Sequence, residues 1–440
     1  MMLQSKSVRE ILKKITFVFF HGFFWMFGVV IASSLTVLCL ILIYPYVEKI
    51  ELIYDVKQRI SFGTVTPLKS PPLENIEFDN SIPVNSPAAS RETYYVSNSN
   101  QLIDAVRNAN SSKVPVEVVL SPGVYLIERT LEVNVDDFFI RSLENEPNNT
   151  VLKGKGMYGD TGNIFRIKGK NFHLRALTLS DSNLHLIQIA GESSANFPII
   201  EDSILRDSKE QFIKISYDLN TPNLYSVGGV VRNCYFYFSR GIAPHYYTGG
   251  VDGHGVRHWQ IINNIFSDIA SPSKYVAEHA IHLWNNSAFN LVSGNVIVDS
   301  DRGIGFGMGV SEHPNVIYGN LSGRIENNFI FQSNNNQPFS DAAIIVESSP
   351  STSIINNFSF SEHPYPRSIE YRFKSTIDVE IANNRVNRRI ASRDSAMANV
   401  YSNSEFLSRG LFMSQVLQHA KTSGLINRYP EFFTRLEQLK

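Results

Sequence analysis

The sequence predicts an all-β right-handed parallel β-helix. Three observations carry that expectation: a self-similar unit recurs at a step of roughly 30 residues, apolar and polar positions alternate with period two inside each unit, and an asparagine returns at the same turn of successive units. The repeat is seen by aligning DFFIRSLEN, NFHLRALTLSDS, FPIIEDSILRDS, GVVRNCYFYFS, WQIINNIFSDI, FNLVSGNVIVDS, SGRIENNFIFQS, SIINNFSFS and VEIANNRVN. Its turn holds Asn233, Asn264, Asn295, Asn328, Asn357 and Asn384. Asparagine tolerates left-handed backbone geometry and can bond the asparagine one coil above, so this row is expected to form a ladder at a tight corner. A β-sandwich would space its strands about 8–12 residues apart and keep no fixed ladder. Helical repeats would not alternate with period two.

Residues 1–14 are basic, with Lys6, Arg9, Lys13 and Lys14. Residues 15–47 hold no charged side chain. The run exceeds the roughly 20 residues that span a bilayer, and apolar sequence continues past Ala32-Ser33-Ser34, the one stretch resembling a signal-peptide cut site. Charges after the span nearly cancel, so the Lys/Arg excess before it predicts a single transmembrane anchor with a cytoplasmic N-terminus and a periplasmic or extracellular body. Residues 48–92, with Pro67, Pro71, Pro72, Pro83 and Pro87 among Ser and Asn, read as a stalk. The β-helix domain is expected over 93–402. Near its start Leu102, Ile103, Ala105, Val106 and Ala109 stand at helical spacing, which suits a short helix covering the open end of a solenoid. Residues 403–440 return to helical spacing through Leu407, Leu411, Phe412, Val416 and Leu417, predicting two short helices that cap the last coil or pack on its side.

Composition excludes several functions. A 440-residue chain with 43% hydrophobic residues can bury a sizeable core. Its 40 basic and 41 acidic residues give a net charge of -1, without the global basic field that nucleic-acid binding uses. Cys39 and Cys234 are too few and too far apart for a disulfide framework or a cysteine zinc cluster. The glycines after Arg302 (GIGFGMG) do not make a nucleotide loop, because no βαβ unit surrounds them and no Lys-Ser/Thr follows.

The opening SNSNQLIDAVRNA to LSPGVYLI, the repeated NN corners, and the block EHAIHLWNNSAFNLVSGNVIVDSDRGIGFGMG followed by SIEYRF resemble the bacterial right-handed parallel β-helix proteins of the pectate-lyase-like superfamily. The resemblance runs over residues 93–395. It implies an acidic, uronate-containing polysaccharide as the substrate class, with calcium a common cofactor. It does not fix the reaction, because fold does not imply function.

Taking Ile213, Ile242, Ile281, Ile304, Ile344 and Ile369 as equivalent inward positions places Lys214, Ala243, His282, Gly305, Ile345 and Glu370 in one outward row. The next outward row is Ser216, His245, Trp284, Gly307, Glu347 and Arg372, and Arg240, His279, Arg302 and Arg367 form a column just before the strand. Coils stack about 4.8 Å apart, so these rows converge on one face. Removing the C5 proton of a uronate needs a group that neutralises the adjacent carboxylate and a base within hydrogen-bond reach. His282 or Lys214 is the expected base, with His279 beside them, and Arg302 the neutraliser. Trp284 would stack on a sugar ring, while His245, Arg240, Glu347, Glu370 and Arg372 would bind the polymer. Gly303, Gly305, Gly307 and Gly309 would lower the wall beside them. Departure of the C4 substituent gives a lyase, and reprotonation from the other face gives a C5 epimerase; a glycoside hydrolase is a further alternative.

A single outward Arg or His is more often a solvated partner of a nearby acid, and Glu278, Asp299, Asp301 and Glu347 are at hand. The clustering weighs against that: seven of the eleven histidines fall between residues 245 and 363. His254, His258, His279 and His282 are candidate zinc ligands, whereas Asp252, Glu278, Asp299 and Asp301 would suit calcium. The competing expectation is a non-catalytic polysaccharide-binding or scaffold protein, favoured by the lack of a recognisable lyase signature and by the membrane tether.

Overall fold

The computed structural model describes residues 91–334 and 337–438. The expected basic N-terminus, the membrane span over 15–47 and the stalk to residue 90 lie outside the described residues. Among the described residues no helix is long and apolar enough to cross a membrane.

Strands run from Glu92–Val96 to Ala398–Tyr401 and pair in parallel, each with its counterpart one coil away. They form one twelve-stranded and two ten-stranded sheets, with one additional two-stranded pair. The chain visits the three large sheets in rotation. Gln260–Ile262 lies in the twelve-stranded sheet, Ile265–Ser267 in a second sheet and His279–Trp284 in a third, before Leu291–Ser293 returns to the first. That rotation is a parallel β-helix. Its interior is built from inward rows: Ile213, Val251, Ile281, Ile304, Ile344 and Ile369 stack on successive coils and are fully buried. Aromatic rings continue the stacking, with Phe236 and Phe266 4.5 Å apart and 6° from coplanar.

Two corner residues divide the roles expected of one. The corner joining Gln260–Ile262 to Ile265–Ser267 is Asn263 and Asn264. The first residue takes the left-handed conformation, as do Asn327, Asn356 and Asn383 on later coils, with Gly294 in that place once. The second residue forms the ladder. Asn264, Asn295, Asn328 and Asn357 each donate from Nδ2 to Oδ1 of the next asparagine at 3.0, 3.0, 2.9 and 3.0 Å, and Asn384 donates to Asn403 at 2.9 Å. The first four bonds span 31, 33, 29 and 27 residues, which is the repeat itself, and the last spans 19 across a shortened final coil. Asn233 is not in the row. It occupies the left-handed place and bonds Asp202 at 3.2 Å, while Cys234 holds the ladder position and gives its backbone N–H to Asn264 Oδ1.

The helix Ser99–Ala109 starts at Asn98, whose side chain accepts the Gln101 N–H. It buries Leu102, Ala105, Val106 and Ala109 against Glu92–Val96, Val116–Leu120 and Leu131–Val133. After the coils there are three helices rather than the two expected: Arg409–Thr422, Leu425–Arg428 and Pro430–Gln438. They lie along the side of the solenoid. Phe412, Val416, Phe432 and Leu436 bury themselves on Ile204, Ile265, Val296 and Phe329, outward residues of the second sheet that are apolar and need a cover.

Candidate functional site

The third sheet carries the expected rows with one coil corrected. The strand expected at Ile242 is Val251–His254, preceded by a loop over 239–250. Asp252 and His254 therefore take the places given to Ala243 and His245. The outward row reads Lys214, Asp252, His282, Gly305, Ile345, Glu370, and the next contains His254, Trp284, Glu347 and Arg372. Arg240 and His245 leave the sheet: Arg240 is exposed in the loop, and His245 accepts the Tyr247 N–H at 3.0 Å.

Asp252 is the hub. Buried at 5% exposure, it forms an ion pair with Lys214 and accepts the Trp284 Nε1–H at 2.8 Å. Lys214 Nζ also donates to His254 Nε2 at 2.7 Å, and that nitrogen stands 3.4 Å from Asp252 Oδ2. The Asn285 amide lies 3.2 Å from the other His254 nitrogen. Burial would raise the Asp252 carboxyl, but His254 and Lys214 outweigh it and hold the group well below the ordinary carboxylate range. Burial in turn pulls His254 below 6.5 against the opposing effect of Asp252, so Lys214 is the cation that keeps the carboxylate charged.

His282 is not an outward base in contact with solvent. It is 2% exposed, its ring lies flat on Trp284 (5.2 Å, 6°), and Nε2 sits 2.9 Å from Gly307 O. A carbonyl only accepts, so Nε2 carries the hydrogen. Nδ1 then faces Glu278 at 3.8 Å and Asp252 at 4.0 Å. Trp284 is correspondingly no free platform for a sugar, with His282 on one side and His254 4.2 Å away.

His279 is also buried, and neither ring nitrogen has a hydrogen-bond partner. Burial above all, with the Arg302 and Arg372 charges adding to it, pulls it well below 6.5. Its ring lies over Gly305, where an added Cβ would sit 2.6 Å from Nε2. The open place expected at Gly305 is thus filled by imidazole. Gly303 and Gly307 are pressed against the backbone of the next coil, and Gly309 alone of the four faces open space.

Glu347, Glu370 and Arg372 satisfy one another. Arg372 pairs with Glu347 at 2.8 Å, with Asp341 at 3.3 Å and with Glu370, which also accepts from Arg367 and Tyr365 at 2.7 Å. Arg302 is engaged more lightly: its one side-chain hydrogen bond among the described residues runs from Nε to Asp341 at 3.3 Å. Asp341, Glu210 and Tyr247 were not singled out by the sequence, because they stand in connecting segments where periodicity says nothing. Burial raises both the Glu210 carboxyl, against the charges of Lys209 and Lys214, and the Tyr247 hydroxyl.

The calcium set does not assemble. Asp299 accepts the Ser333 N–H and O–H, and Asp301 accepts the backbone N–H groups of Ser271 and Ala277. Both carboxylates tie down connecting backbone, and burial pushes Asp301 up to about 6. His258 stands at a left-handed corner stacked on Phe289. Among the described residues, the three metal-competent side chains that do converge are Glu278, His279 and His282, with ligand atoms within 4.8 Å of one another.

No family model matches the chain, and no curated protein matches its sequence. In structure it is similar to alginate lyase from Paenibacillus sp. str. FPU-7, at 12% identity over 72% of this chain and 100% of that one, with a TM-score of 0.40. It is similar to endo-xylogalacturonan hydrolase from Aspergillus tubingensis at 10% identity, 72% and 100% coverage and a TM-score of 0.46. Pectate lyase Pel9A matches at 14% identity, 72% and 79% coverage and a TM-score of 0.33. At these values the likeness does not extend to the chemistry of the site.

Proposed function

We propose that the protein is a membrane-anchored, extracytoplasmic lyase of an acidic polysaccharide. Its coil takes the right-handed sense that parallel crossovers adopt in about 98% of cases. The observation that supports the reading best is the hub itself: a buried carboxylate holds an ammonium and a neutral imidazole together, and His254 is the histidine of the group with access to solvent. Its side chain is 17% exposed against 3% for His282. His254 Nε2 accepts the C5 proton once Lys214 turns to Asp252, and the adjacent Asp252 charge stabilises the imidazolium. Arg302, opposite His279 two coils from His254 and with its terminal nitrogens not hydrogen-bonded to Asp341, binds the carboxylate of a neighbouring uronate of the same polymer. The electrons of the broken C5–H bond form the C4–C5 double bond, the glycosidic oxygen leaves C4, and Lys214 gives that oxygen a proton.

Full-length protein in detergent, incubated with a panel of polyuronates, is expected to produce the ultraviolet absorbance of unsaturated uronate ends, and His254→Ala to slow this by roughly 10²–10⁴-fold. Exchange at C5 in deuterium oxide without chain cleavage would identify the epimerase instead. Binding with neither reaction would leave a non-catalytic polysaccharide-binding scaffold.

The anchor rests on the uncharged run over 15–47 and the basic residues before it. A reporter fused after Lys440 is expected to be active only outside the cytoplasm. Cytoplasmic activity would overturn the orientation.

A further inference from the structure

We propose that Glu278, His279 and His282 form a binding site for a divalent metal of the zinc class. This goes beyond the lyase reading and does not depend on it.

Three independent observations converge. The ligand-capable atoms of the three side chains lie within 4.8 Å of one another. Zinc bonds of about 2.0–2.1 Å place ligand atoms roughly 3.3–3.5 Å apart, so the group must tighten by up to about 1.4 Å at its widest. His279 is buried with both ring nitrogens unpartnered, 7% exposed in a fold that satisfies most of its buried polar groups. A buried orphan imidazole costs free energy unless something binds it. His282, finally, is prepared as metal-ligating histidines generally are. One ring nitrogen donates to a backbone carbonyl, Gly307 O at 2.9 Å, which fixes the tautomer and leaves the Nδ1 lone pair aimed at Glu278, 3.8 Å away.

The surroundings fit this assignment. Gly305 has no Cβ, and that absence makes the bed on which the His279 ring rests. Glu278 is the exposed member, with a side chain 26% accessible, and gives an ion its way in. His254 is excluded, since Lys214 occupies its Nε2. Two imidazoles and one carboxylate select a borderline metal over calcium, which takes an all-oxygen shell.

The test is titration of the metal-free full-length protein in detergent with Zn²⁺ alone, read by calorimetry and by the metal retained after gel filtration. One zinc per chain is expected, together with a rise in melting temperature. Glu278→Gln and His279→Gln are each expected to weaken binding by more than the roughly 10–100-fold that loss of an outer-shell partner costs. His258→Gln, remote from the group, is expected to bind as wild type does. If the buried His279 variant fails to fold, the accessible Glu278 variant decides. Wild-type affinity in a folded Glu278→Gln variant, or no zinc bound by the wild type, overturns the site. Glycan turnover is not read in either arm, so failure here and failure of the lyase assay are separate results.

Discussion

Lys214→Met is expected to abolish turnover and to cost the fold about 3–5 kcal/mol, the scale for stripping one partner from a buried ion pair. Asp252 would keep its burial and its Trp284 hydrogen bond but lose its cation. The pH dependence should change with it. In the wild type burial, with Lys214 adding to it, holds His254 below 6.5, so the unfolded chain takes up a proton that the folded one resists. His254 thus makes stability fall as pH drops below 6.5. Without Lys214 the imidazole gains protons more readily, and that slope should flatten. Asp252 acts with the opposite group type: its depressed carboxyl adds stability above 3.8, which is lost as pH falls toward the folded value. Urea unfolding across this pH range measures both effects. A loss under about 1 kcal/mol, typical of a surface pair, would show that Asp252 does not depend on Lys214.

Asn295→Ala is expected to cost roughly 3–5 kcal/mol, because each buried group left unsatisfied costs about 1–3 kcal/mol. The substitution removes donation to Asn328 Oδ1 and Ile261 O, and removes the acceptor for both the backbone and side-chain N–H of Asn264. Asn403→Ala supplies the control. It too accepts the backbone and side-chain N–H of Asn384 and donates to Ile381 O, but it stands at the half-buried end of the row with no further asparagine above it, where water can replace part of what is lost, so its cost should be smaller, about 1–2 kcal/mol. Equal costs at the two positions, measured by urea unfolding, would mean that the interior of the ladder holds no more than its end.

The repeat, the sheet faces and most of the ladder were legible because a solenoid needs the same side chain at the same place in every coil. What failed was local. Val251–His254 contains Asp252-Gly253, a pair that reads as a turn by propensity, whereas Gly241-Ile242-Ala243 reads as the apolar start of a strand. The backbone of Ala280 presses on Gly250 and the side chains of Leu283 and Val256 on Gly253, so packing demanded glycine where propensity argued against a strand. Asn233 departs from the row for a related reason: its neighbour is Cys234, and with no asparagine after it the left-handed residue looks in sequence like the ladder residue. The burial of His279 and His282 was not readable from alternation. Period two says which face a side chain leaves from, but not whether Trp284 will lie across it or a glycine one coil up will leave it room to fold flat. The side packing of residues 409–438 had a visible cause in Ile204, Ile265, Val296 and Phe329, outward residues that water would not suit.

Those three helices bear on how the protein is made. Tyr429 reaches back to the carbonyls of Ser203 and Asn233, and Arg428 and Arg435 pair with Asp202 and Asp268. Coils of a solenoid can close one upon another as they leave the ribosome, since each touches only its neighbours. The splint cannot. Until residues 409–438 emerge, the nascent body carries an uncovered apolar stripe along the second sheet, the kind of surface that chaperones hold and that aggregates when they do not. Once seated, it fastens the coil of Ile204 to those of Phe329 and Phe360, and coils that could otherwise open one by one are made to open together.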